Sequence, residues 1–233
     1  RCSDDAGGPQ RNDEHRDDDR RHQRDLARAE LRGISLRAAG WSVHRGLVET
    51  QHVDGRVDDA DLPGEEDVVA RAKVCAIREA EEEAGLDLSK SDLVHLSQWI
   101  PPKVELRRFS THFFVTAMPP NQQVVIDEGE IHDYRWVCPK AAVKNTPDAE
   151  LKIFPPTYVS LWDLAKFDTV ADVMAGFAVE TSLLFETIFV KGNKGHHLFW
   201  RPDAGYEARS IEAAGQRHRL FMGEDRWDYE RDS

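Results

Sequence analysis

The chain has 233 residues, with 31 Lys and Arg against 43 Asp and Glu and a formal net charge of -12. That balance argues against a nucleic-acid coat or a membrane binder, and no apolar run is long enough for a transmembrane helix, so one acidic domain with appendages is expected. Cys2, Cys75 and Cys138 are odd in number and widely spaced without a Cys-x-x-Cys, which points to a reducing cytoplasm, and Cys75 is expected to be buried and inert.

Residues 1–54 differ in composition from the rest. They hold no Lys, Phe or Tyr and are crowded with Arg, Asp and His. Arg1 to about Leu31 is expected to be disordered, because it cannot bury enough apolar surface to offset chain entropy. Its mixed charges do not make a basic arm, and it is too polar for a secretory signal. Only Ile34-Ser35-Leu36 and Trp41 to Val48 are weak strand candidates here. Either the N-terminus is divergent or disordered, or the reading frame is shifted upstream of Gly55.

A helix is predicted from about Val69 to Ala84. Lys73, Ala76, Ile77, Ala80 and Ala84 recur at helical spacing, and Gly85 supplies a left-handed stop. Glu79, Glu82 and Glu83 then share one face in its last turns. Like charges at these spacings cost about 0.2–0.5 kcal/mol per pair. Acids beside the negative end of a helix dipole lose roughly 0.3–1 kcal/mol each. A ligand-free helix would be stabler with Lys at these positions, so the trio marks a functional site. A hard divalent ion, Mg²⁺ or Mn²⁺, is the natural compensation, since such ions take oxygen ligands and retain waters and phosphate oxygens. Arg78 can pair with Glu82 one turn on and hold its rotamer, leaving Glu79 and Glu83 to face the metal. Glu81 lies off that face and reads as solvated helix surface.

The run Arg78-Glu79-Ala80-Glu81-Glu82-Glu83-Ala84-Gly85-Leu86 resembles the second half of the Nudix box, Arg-Glu-Φ-x-Glu-Glu-x-Gly-Φ with Φ apolar, at every specified position. The first half departs: at the family's spacing Gly64 falls on the glycine but Ala70 on the first glutamate. The run Asp54-Gly55-Arg56-Val57-Asp58-Asp59-Ala60-Asp61 is similar instead to the Pro-Gly-Gly-x-Val-Asp-x-x-Asp loop of one subgroup. Its members resemble the peroxisomal coenzyme A diphosphatases and their bacterial relatives. Only Gly55 of the glycine pair is kept.

Downstream, Trp99-Ile100-Pro101-Pro102 and Arg107-Arg108-Phe109-Ser110-Thr111-His112-Phe113-Phe114 resemble that subgroup's Trp-Φ-Thr-Pro and Arg-Phe-Asp-Thr-x-Phe-Phe elements, with Ser110 replacing the Asp. Phe109 to Ala117 is predicted as a buried strand. Arg107 reads equally as a solvated strand end or a phosphate contact; the resemblance favours the phosphate contact for Arg108. The stretch Glu128 to Val137 resembles the family's Glu-Φ-x-x-x-x-Trp-Φ, with Glu130 in the matching place as metal ligand or base, against a plain surface acid. Trp136-Val137 is predicted as a strand, Pro139 opens a short helix, and Phe154-Pro155-Pro156-Thr157 resembles the subgroup's Pro-Pro-Thr before a helix from Tyr158 to Ala165.

Beyond Phe167, Val170 to Ala178 reads as a helix, Leu183 to Val190 and His197 to Trp200 as strands, and Arg217 to Met222 as a strand turning back through Gly223-Glu224-Asp225. Leu198 to Tyr206 resembles the subgroup's Leu-Leu-Pro-Gly-Asp-x-x-Tyr. His196-His197 reads as a surface pair.

The expected fold is α/β, a Nudix-type α/β/α sandwich with a mixed sheet whose N-terminal strands are missing or replaced. Residues 1–54 would be disordered or foreign, 55–167 the Nudix hydrolase domain, and 168–233 a helix and strand extension packed on it. The resemblance implies metal-dependent hydrolysis of a phosphoanhydride in a small-molecule nucleoside diphosphate linked to another moiety, coenzyme A or acyl-coenzyme A among them. Glu79, Glu82 and Glu83 would hold Mg²⁺ or Mn²⁺, with Arg78 ordering Glu82. Glu130 or a helix glutamate would take the proton, and Gly55 and Arg108 would meet the substrate. Two rivals are a degenerate Nudix-like nucleotide-binding module and an acidic interaction domain that binds no metal.

Overall fold

Two apolar clusters on opposite faces of one sheet organise the chain. The computed structural model describes residues 35–38, 41–48, 65–102, 110–125, 134–147, 153–179 and 182–232. Its first strands are β1 (Ser35–Ala38) and β2 (Trp41–Val48), followed by helix α1 (Glu65–Ala84) and strands β3 (Val94–Ile100), β4 (Ser110–Ala117) and β5 (Tyr134–Val137). Helices α2 (Pro139–Lys144), α3 (Pro155–Leu164) and α4 (Val170–Val179) come next. Strands β6 (Leu183–Glu186), β7 (Ile188–Lys191), β8 (His196–Phe199), β9 (His218–Met222) and β10 (Trp227–Arg231) complete the order.

The central sheet runs β2-β4-β3-β6. Its β2–β4 and β3–β4 pairs are antiparallel and its β3–β6 pair is parallel, so it is mixed. β1 and β5 form a parallel pair, and β10-β9-β8-β7 an antiparallel meander. The α/β class and the mixed sheet are as expected. The N-terminal strands are present at the two weak candidate positions, and β2 takes an edge of the central sheet. The stretch expected to be disordered, Arg1 to about Leu31, lies outside the described residues.

Alternation along β4 divides the core. Phe114 packs on one side with Ala72, Ala76, Ala80, Ala84, Leu86 and Leu88. Phe113 and Val115 pack on the other with residues of α3, α4 and the meander. A strand covered on both faces reads as a continuous apolar run, which is why β4 was recognisable. On the α1 side the buried stripe is Ala72, Ala76, Ala80 and Ala84, none more than 2 % exposed. Lys73 and Ile77, expected on the core face, are only half-buried at its margin. Four alanines at i+4 spacing let α1 lie close along β2. The helix also starts at Glu65, four residues before the predicted Val69, since an acidic run is a favourable first turn. Gly85 ends it at φ +64°, its N–H donating to Glu81 O at 3.0 Å, while the Val125 N–H donates to Ala84 O at 3.0 Å.

On the other face the rings of Trp99 and Phe185 stack with centroids 4.1 Å apart, and Trp200 meets Trp99 edge-on at 5.3 Å. Leu183 to Val190, predicted as one strand, is two. Thr187 is the corner: its N–H donates to Ile100 O at 2.9 Å, and its Oγ1 accepts from Trp200 Nε1 at 2.9 Å. The chain thereby passes from the central sheet into the meander. Residues after Phe167 thus supply a strand to the central sheet as well as packing on it. Asp163 of α3 receives both Arg231 Nη atoms, at 2.6 and 3.1 Å, and Tyr158 Oη donates to Trp227 O at 3.2 Å, tying the last strand to α3.

Cys75 is half-buried, not buried, because it sits beside the alanine stripe and not on it; Cys138 is exposed. His196 and His197 are half-buried on β8 and not a surface pair, with the His197 ring 5.0 Å from that of Phe221. No helix among the described residues is long and apolar enough to cross a membrane.

Candidate active site

The alanine stripe orients the acids of α1. Glu79 and Glu83 each stand one residue before a buried alanine, Ala80 and Ala84, so both flank the stripe on the same side and are half-buried. Glu82 is exposed. At 3.6 residues per turn the three span roughly 100° of helix circumference. The last turn of α1 contains no basic residue. Arg78 is exposed, and the expected Arg78–Glu82 ion pair is not formed among the described residues. Such an exposed i, i+4 pair is worth only about 0.3–0.5 kcal/mol, which hydration readily outcompetes.

The topology shows where the remaining expected residues attach. Val125, bonded to the end of α1, is the last described residue before the segment carrying Glu130. Five residues of extended chain reach at most about 18 Å. Val48 and Ser110 are paired across β2 and β4. The segment with Gly55 follows Val48, and the segment with Arg107 and Arg108 precedes Ser110, so both attach to one end of the sheet. Gly55, Arg107, Arg108 and Glu130 themselves lie outside the described residues.

The α1-facing side of the sheet also carries a polar strip. His112, Ser110 and Thr116 share the parity of Phe114 on β4, and on β3 His95 pairs opposite Phe114 and Gln98 opposite His112. His112 Nδ1 lies 3.1 Å from His95 Nε2, and Gln98 Nε2 donates to Ser110 Oγ at 2.7 Å. Sequence reasoning passed over all four as functional groups. The available signal was a polar residue, His112, at a position that alternation assigns to the buried face.

Burial, with the neighbouring His95, lowers the His112 pKa from 6.5 to about 4. The unfolded chain therefore takes up this proton first as the solution is acidified. Stability is complete above the unfolded value and is lost between pH 6.5 and 4, by about 2 kcal/mol from pH 7 to pH 5. Urea unfolding at the two pH values should show this loss, reduced in His112→Leu; an identical pH slope in the variant would refute the assignment.

Among the described residues no three acids, histidines or cysteines are drawn together closely enough to hold an ion. The donor chemistry nonetheless suits a hard cation, because Mg²⁺ is usually held by one or two carboxylates completed by water and substrate phosphate.

The family model for the NUDIX domain matches residues 38–156. Nothing among curated proteins or solved structures matches the chain. The match begins upstream of Gly55, and it takes in β2, all of α1 and the strands that α1 covers. It spans just over half of the sequence, and by it the chain belongs to the Nudix family, whose members hydrolyse nucleoside diphosphate-linked compounds.

Proposed function

We propose that this Nudix protein hydrolyses the phosphoanhydride of a nucleoside diphosphate joined to another moiety, with coenzyme A or an acyl-coenzyme A as substrate, in a reducing cytoplasm. The observation that carries the reading is the trio Glu79, Glu82 and Glu83 on the last turns of α1, within about 100° of its circumference and beside the negative end of the helix. Glu79, Glu82 and Glu83 would hold Mg²⁺ or Mn²⁺, which when bound supplies charge neutralisation for the pyrophosphate and a more acidic water. Glu130, or a helix glutamate, accepts the proton of the attacking water as its oxygen bonds to phosphorus. The bridging P–O bond breaks, and Arg108 meets the charge on the departing phosphate. Gly55 lets backbone approach the substrate closely. The coenzyme A assignment rests on the resemblance of the Gly55 loop and of the Trp99 and Arg108 segments to that subgroup.

A degenerate binding module is the second reading, favoured by Ala70, which stands on α1 where the box would have its first glutamate. Incubation with coenzyme A, ADP-ribose, NADH and dinucleoside polyphosphates, each with Mg²⁺, Mn²⁺ or chelator, separates the two. Metal-dependent release of two phosphorylated products is expected from at least one, coenzyme A first. A folded protein that binds these compounds and cleaves none would establish the module instead.

A further inference from the structure

The polar strip on the α1 side of the sheet takes no part in the chemistry proposed above. His112 is 1 % exposed, yet its Nε2 has no hydrogen-bond partner among the described residues. A buried polar atom left unmet forfeits its hydration with no return, so protein interiors nearly always supply a partner. The ring cannot simply turn to find one, because Nδ1 is engaged with His95 Nε2 at 3.1 Å. The His95 ring lies in turn 5.1 Å from that of Phe114. Opposite His112 stands Gln98, whose amide donates to the buried Ser110 hydroxyl. Gln98 and Ser110 carry no charge, and burial keeps His112 neutral near pH 7. Such a set suits an uncharged edge better than a phosphate. The strip also lies at the end of the sheet where Val48 and Ser110 lead to the segments carrying Gly55 and Arg108.

We propose that His112, steered by His95 and flanked by Gln98 and Ser110, is a hydrogen-bonding subsite for an uncharged amide-like edge of the substrate, as found on a nucleobase or a carboxamide arm. This rests on the reading of the chain as a hydrolase of nucleoside diphosphate derivatives, and divides recognition between the acids of α1 for the charged part and the sheet for the uncharged part. The tautomer sets the polarity. If His95 donates to His112 Nδ1, then Nε2 carries the proton and donates to the ligand; if His112 donates, Nε2 accepts.

The test is ¹⁵N NMR of the histidine-labelled full chain, titrated separately with ADP, 4′-phosphopantetheine and inorganic pyrophosphate. The His112 Nε2 resonance, assigned by its loss in His112→Leu, should move with ADP if the edge is the base and with 4′-phosphopantetheine if it is the amide arm. It should not move with pyrophosphate. In His112→Leu the affinity for the responding ligand should fall about tenfold with pyrophosphate unaffected. Should that variant fail to fold, Gln98→Leu is expected to show the same split. A resonance that stays fixed while ADP and 4′-phosphopantetheine bind, or one that responds equally to pyrophosphate, overturns the subsite. If the parent chain binds none of the three, the hydrolase reading falls and the subsite with it.

Discussion

Replacing Glu83 by Gln is expected to reduce phosphoanhydride cleavage by about 10²–10⁴-fold, whether Glu83 holds the cation or relays the proton. The substitution keeps the size of the side chain, removes its charge and replaces one acceptor oxygen by an N–H₂ donor. In metal-free buffer the variant should be as stable as the parent or stabler by roughly 0.3–1 kcal/mol, because a negative charge has left the negative end of a helix. Mg²⁺ should stabilise the parent by mass action and the variant less. Loss of turnover with the fold intact supports the enzyme. If neither chain turns over substrate but both bind it, the module is correct. If metal has no effect on the parent and the substitution raises its melting temperature, the acids are an interaction surface and the proposed chemistry is wrong.

The second large effect is structural. Replacing Asp203 by Asn should destabilise the chain by about 3–5 kcal/mol, or roughly 6–20 °C in Tm. The Asp203 side chain is fully buried, and that of Arg219 is 7 % exposed. Asp203 Oδ1 accepts from Arg219 Nη2 at 2.6 Å and from the Gly205 N–H at 2.7 Å. Its Oδ2 accepts from Arg219 Nε at 2.7 Å and from the His218 N–H at 2.8 Å. Burial by itself would raise the Asp203 carboxyl, but these bonds outweigh it and hold the pKa below the ordinary 3.8. Asn supplies no charge and turns an N–H₂ towards donors, so Arg219 is left as a buried cation without its counter-ion. The exposed Arg201–Glu207 pair makes the control: at 2.8 Å its geometry is comparable, yet Glu207→Gln should leave Tm unchanged within error. Calorimetry or circular dichroism on the two variants decides the matter. A Tm loss of less than a couple of degrees in Asp203→Asn would show that the pair does not hold the meander together.

Which elements were legible follows from where local and global preferences agree. The end of α1 was readable because Gly85 and the acids before it are local signals, and β4 because it is buried on both faces. The core face of α1 was misread in part, since Lys73 and Ile77 carry more apolar surface than Ala72 while the close approach to β2 selects the smaller residue. β3 was not predicted: His95, Ser97 and Gln98 give it a polar appearance, and the register shift between His95 and Ser97 interrupts its alternation. β2 was only a weak strand candidate, yet it pairs with β4 along its length, with Trp41 opposite Ala117 and Val48 opposite Ser110. A partner strand supplies what isolated β-propensity lacks. Thr187 could not be identified as a corner from sequence, because its role depends on Ile100 and Trp200, far away along the chain. Of the expected site residues, Arg78, Glu79, Glu82 and Glu83 are placed on α1, where the motif put them. Gly55, Arg108 and Glu130 depended on resemblance alone, and only their points of attachment to the sheet and to the helix end are described.

The central claim, that the acids ending α1 hold a divalent cation, is tested most directly by titrating the full chain with Mn²⁺ and following the free-ion signal by electron paramagnetic resonance, with and without coenzyme A. The account predicts saturable Mn²⁺ binding that tightens with coenzyme A and is lost when Glu79, Glu82 and Glu83 are together replaced by Gln. Binding that survives the triple replacement, or a folded parent chain that binds no Mn²⁺ with coenzyme A present, would contradict it.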